Sequence, residues 1–109
     1  MTDEIQFQEI HDKAAAYAKA YAQREYLDEF KRSKLSILMK EFEPEHKTSA
    51  AQEREARAHP DYLALLDGLK AAVEESERLR WDLKIAEMQF EAWRTHAANQ
   101  RAERQRYGA

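Results

Sequence analysis

Arginine crowds the C-terminal end of the chain. Arg94, Arg101, Arg104 and Arg106 follow Glu91 with Glu103 as the one intervening acid. Guanidinium groups bind phosphate bidentately, and aromatic rings can stack on exposed bases. With Asn99, Gln100, Gln105 and Tyr107 supplying amides and a ring, the segment has the chemistry to contact a phosphate backbone. Arg94 and Arg101 are seven residues apart, hence on one helical face, with Arg104 a turn further on. Arg94, Asn99, Arg101, Arg104 and Arg106 are therefore the expected nucleic-acid contacts. Arginines at a helix C-terminus also complement the macrodipole and keep a frayed end soluble, so that second reading stands beside the first. A second basic cluster, Lys31, Arg32, Lys34 and Lys40, reads as an ordinary solvated face.

Little else announces a reaction. His11, His46, His59 and His96 are scattered without metal-ligand spacing. If the chain folds back on itself, His11 and His96 could approach, and with Glu9 or Asp12 could form a pH-sensitive pair, though two surface histidines describe them as well. Carboxylates mostly have basic neighbours three or four residues away, and there is no glycine-rich phosphate loop. No catalytic residue, metal site or cofactor is expected.

What must position these groups is helix. The 109 residues carry 36% charged and 43% hydrophobic side chains with only two Gly and two Pro. That balance suits long helices and argues against a compact sheet. A net charge of −3 leaves no global basic field to attract nucleic acid or an anionic membrane, so any such binding must be local. The absence of Cys removes disulfides and thiolate chemistry, and the acidic N-terminus and lack of long apolar runs predict neither signal peptide nor membrane span. A soluble, cytoplasmic protein is expected.

Breakers and caps divide the chain into a helix over about 3–42 capped by Asp3, a linker at 43–48 around Pro44, a short helix over about 49–58, and a long helix over about 60–106. Ser49 and Gln52 have capping-box spacing, and Pro60 suits a first helical turn. Gly68 weakens the long helix and would permit close approach of the short one.

Along the long helix, Tyr62, Leu65, Leu69, Ala72, Ser76, Leu79, Leu83, Ala86, Phe90, Trp93 and Ala97 repeat at three-then-four spacing. Such a stripe buries itself against another helix. The first helix offers Phe7, Ile10, Ala14, Tyr17, Tyr21, Leu35, Leu38 and Phe42, interrupted at Arg24 and Asp28 and widened by Tyr26, Leu27, Phe30 and Ile37. The expected fold is all-α: a long antiparallel helical hairpin with a short connecting helix, assembling as a coiled-coil or four-helix-bundle oligomer. If Phe42 faces Pro60, facing residue numbers total about 102. Leu35 then lies near Leu65 and Leu66, Ile10 near Trp93, and Ser76 level with the Arg24–Asp28 interruption. About ten C-terminal residues overhang.

The long helix has a second apolar face, Trp81, Ile85, Met88 and Ala92, opposite the Leu79 and Leu83 seam. A helix apolar nearly all round is normally covered on both sides. These four residues are the expected oligomer or partner interface, with a homodimer favoured.

The order Glu53-Arg54-Glu55-Ala56, Tyr62, Gly68-Leu69, Ala72-Val73, Leu79-Arg80-Trp81, Ala86, Trp93-Arg94, Asn99 and Arg101 resembles a group of small phage and prophage proteins encoded among DNA replication and recombination functions, near single-strand annealing and single-strand-binding proteins. It covers about half the chain, and the first helix matches only loosely. The resemblance implies a non-enzymatic accessory role in the host cell cytoplasm, touching single-stranded DNA or its coating protein, and it adds Arg80, Trp81 and Trp93 to the candidates. Two other readings stay open: a protein-binding inhibitor of a host nuclease or defence complex, and a purely structural homo-oligomer.

Overall fold

The computed structural model describes residues 3–108, and its elements are three helices: α1 (Asp3–Phe42), α2 (Ser49–Arg57) and α3 (Pro60–Arg106). No strand occurs among the described residues. α1 runs 40 residues without Gly or Pro, with Asp3 and Glu4 in its first turn and Lys40 in its last, both favourable to the helix dipole. Asp3 is already helical and belongs to the first turn rather than capping it from outside.

α1 stops one residue before Glu43, which Pro44 disfavours from helical geometry. The freed carbonyls of its last turn are used again: the Glu43 amide donates to the Lys40 carbonyl at 3.3 Å and the His46 amide to that of Phe42 at 2.9 Å. α2 is capped one residue earlier than its sequence suggested. The Thr48 hydroxyl accepts the Ala51 amide at 3.1 Å, and the Gln52 side chain donates backwards to the His46 carbonyl at 2.9 Å rather than closing a box with Ser49. The physical reason is the extended backbone of Thr48 (φ −107°, ψ 148°), which only the residue outside the first turn can adopt. In the last turn of α2, the Arg57 guanidinium is held above its ordinary value by its hydrogen bond to Glu53 and then by that carboxylate's charge.

α2 ends at Arg57, slightly short of residue 58, and Pro60 opens α3 as expected. Between them the His59 ring acts as a cap, its Nδ1 accepting the Asp61 amide at 3.0 Å. At the far end the Tyr107 amide still reaches the Glu103 carbonyl at 3.0 Å, and Gly108 then turns to φ +75°, a left-handed value that glycine adopts without strain. No helix among the described residues is long and apolar enough to cross a membrane.

The chain divides into two compact units, one of residues up to Tyr17 with those from Arg78 onward, the other Ala18–Glu77. In the Ala18–Glu77 unit, Leu38, Ala56 and Tyr62 form the buried core, with Leu35, Met39, Phe42 and Leu66 packed against it. Each helix contributes one of the three, so α2 closes this end of the α1–α3 pair. Leu35 and Leu66 both pack against this one cluster, in keeping with the antiparallel register. The ion pair of Arg24 with Glu77 at 3.3 Å agrees with it, while Lys34 reaches about two turns along α3 to Asp61 at 3.9 Å. Tyr26, Phe30 and Ile37 do not widen the core. Only Leu27 of that group is partly buried, while Tyr26 and Phe30 stack on one another at 6.0 Å on the surface.

Ser76 lies on this unit's seam and is fully buried, with no hydrogen-bond partner for its hydroxyl oxygen. Next to it in sequence, Glu77 takes Arg24, and Asp28 takes Lys31 at 3.2 Å, so charge from both stripe interruptions is satisfied at the level where Ser76 is not. Gly68 makes no close approach. A methyl group added there would meet nothing within 4 Å.

In the other unit the register departs from expectation. Phe7 packs on Phe90 with ring centroids 4.7 Å apart, and Ile10 shares a hollow with Ala86, Gln89 and Phe90, a turn or more short of the expected Trp93. The α1 segment thus meets α3 more than one turn earlier than the simple register puts it. The Phe7–Phe90 ring pair gives this alignment a specific aromatic contact that an alignment extrapolated from the distant turn lacks. Ala86 and Phe90 are the buried residues of this unit. Along α3 every position of the three-then-four stripe from Tyr62 to Ala97 is buried or partly buried.

Candidate functional site

Both candidate surfaces belong to the α3 portion of the unit that contains Phe7 and Phe90. The first is the arginine end. From Ala98 to Gly108 every residue is exposed, so this part of α3 extends beyond the seam as expected. At 100° per residue one continuous helix sets Arg94, Arg101 and Arg104 on one flank and turns Asn99 and Arg106 toward the opposite one. The five predicted contacts are not brought together as a single set.

Arg94 is also engaged locally. Its guanidinium lies 3.3 Å from the Glu91 carboxylate and 5.9 Å above the Phe90 ring. Arg94 and Arg101 border one hollow of about 300 Å³ whose walls include Asp3, Glu91, Trp93 and Ala97. Two carboxylates therefore share that hollow with two guanidinium groups. A phosphate entering it would compete with Glu91 for Arg94, whereas Arg101 and Arg104 offer themselves on the open helix. Trp93 is on the seam, its ring 6.2 Å from that of Phe90, and belongs to the packing rather than to a contact surface.

The second surface is the rear face. Trp81, Ile85 and Met88 are 50%, 49% and 64% exposed, and Ala92 is exposed as well. No segment of this unit covers them, which is what their position opposite the seam predicts. Trp81 is flanked by cations, with the Arg80 guanidinium 5.2 Å and the Lys84 ammonium 5.0 Å from the ring centroid. Such contacts are worth about 0.5–1 kcal/mol at exposed sites and hold the indole against the helix.

One feature escaped sequence reading. A groove of about 660 Å³ runs between the helices of this unit, bordered by Ile5, Glu9, Asp12, Ala16, Leu79 and Asp82. Ile5, Asp12 and Ala16 share a face at seven- and eleven-residue spacing, whereas the apolar stripe through Phe7 and Ile10 lies on the other side of α1. His11 does not join His96 in a metal site: its ring is 3.8 Å from Asp12, and among the described residues no group of three or more ligating side chains gathers.

No protein-family model matches the chain, and no curated protein or solved structure matches it either.

Proposed function

We propose that this chain is a non-enzymatic helical accessory protein that touches single-stranded DNA, or the protein coating it, through the arginine flank of its C-terminal helix end. What supports the reading is one observation: Arg101 and Arg104 stand on the same flank of a fully exposed helix, with Arg94 one step behind them. Guanidinium groups spaced along one helix flank can follow a phosphate backbone. The setting in phage DNA replication and recombination comes from the resemblance of the Gln52–Arg104 stretch alone. An overall charge of −3 makes binding local and salt-sensitive.

Titration of fluorescent single-stranded DNA at low and moderate salt tests this. Binding should weaken with salt at a slope of about −2 on logarithmic axes if three phosphates are neutralised. It should be lost when Arg101, Arg104 and Arg106 are replaced by Ala. Absence of binding at low salt, or binding indifferent to the replacements, refutes the reading.

A homo-oligomer, with a dimer favoured, is the second reading. The exposure of Trp81, Ile85, Met88 and Ala92 favours it, since a contiguous apolar helix face in water is stabilised by a cover.

A further inference from the structure

We infer that the rear face of α3 is covered by the same face of a second copy of this chain, running antiparallel about a two-fold axis near residues 86 and 87. The inference rests on the homo-oligomer reading and is independent of nucleic-acid binding.

Trp81, Ile85, Met88 and Ala92 follow four-three-four spacing, the period of a coiled-coil seam, and all four are exposed. An isologous contact must be complementary to itself, and this seam is so in one direction only. Set antiparallel, Trp81 faces Ala92 of the second copy and Ile85 faces Met88 of the second copy. Each layer then pairs a large side chain with a smaller one, or two of similar size, and fills space evenly. Set parallel, Trp81 would meet its own equivalent at one end while two alanines left a void at the other.

The flanking charges make the same choice. Lys84 and Glu91 lie on the same border of the seam, and in the antiparallel register each falls opposite the other's counterpart, giving two symmetric ion pairs. Asp82 likewise falls opposite Gln89, an amide donor for its carboxylate. In a parallel pair Lys84 would face Gln89 and gain nothing. Lys84 now lies 5.0 Å over the Trp81 ring, and Glu91 meets Arg94 at 3.3 Å with both side chains mostly exposed, so both can reorient at small cost.

The test uses the full chain, which contains no cysteine. Sedimentation should show a dimer at high micromolar concentration, and Trp81→Ala should weaken it about tenfold or more, as truncating a large aromatic anchor does. Lys84→Glu and Glu91→Lys should each weaken it, and the double exchange should restore it. A spin label on Gln100→Cys should report a separation of about 40 Å between copies from the helical rise. A parallel pair would hold the labels within about 20 Å, because paired helix axes lie about 10 Å apart.

A monomer at all concentrations overturns both the inference and the homo-oligomer reading beneath it. A dimer with labels close together overturns the direction alone. A dimer with distant labels that the double charge exchange fails to restore overturns the register.

Discussion

Replacing Ser76 by Ala should stabilise the protein, against the usual expectation for a fully buried position. The Ser76 side chain is 0% exposed and its oxygen finds no partner. A buried hydroxyl left without a hydrogen bond costs about 1–3 kcal/mol of desolvation, and Ala returns it. Ala is also the better helix former, by at most about 0.7 kcal/mol. Against this stands the loss of the oxygen's dispersion contacts, each worth only about 0.1–0.2 kcal/mol. The net expectation is about 1–2 kcal/mol of added stability, or roughly 5–10 °C in Tm for a domain of this size. Thermal and urea unfolding followed by circular dichroism measures it, at one fixed protein concentration because association would itself shift Tm. Ser33, exposed on α1, is the control: Ser33→Ala carries the propensity gain without the desolvation term. If Ser76→Ala leaves Tm unchanged or lowers it while Ser33→Ala behaves as expected, the hydroxyl is satisfied in solution and the argument fails.

Two further substitutions probe local features. Gly68→Ala should stabilise α3 by about 0.8–1 kcal/mol, because the added methyl meets open space and glycine carries the larger entropy cost; a lower Tm would show an unseen neighbour at that site. Thr48→Ala should cost about 1 kcal/mol through loss of the bond from the Ala51 amide, whereas Ser49→Ala should change little; the reverse order in urea unfolding would return the cap to Ser49.

Much of the helical layout was legible because its signals are local. Pro44, Pro60 and the uninterrupted runs between them mark the elements to within a residue or two. The exposed arginine end and the uncovered Trp81 face follow from the same angular arithmetic. The cap of α2 was less legible, because Thr48 and Ser49 are adjacent and chemically alike, and backbone conformation chooses between them. Arg94 keeps the flank that its spacing to Arg101 implies, but its engagement by Glu91 three residues earlier and by the Phe90 ring was not legible from that spacing.

The sequence by itself determined which α3 residues turn inward, Tyr62 through Ala97 at every stripe position including Ser76, because a helix's faces depend only on spacing along one chain. Only the tertiary structure decided what meets them. Phe7 against Phe90 sets the alignment in one unit, while Leu38, Ala56 and Tyr62 set it in the other. Helical periodicity repeats every turn and so leaves the sliding of one helix along another nearly degenerate. Interlocking of particular side chains removes that degeneracy, and with it decides which polar atom, such as the Ser76 oxygen, is left without a partner.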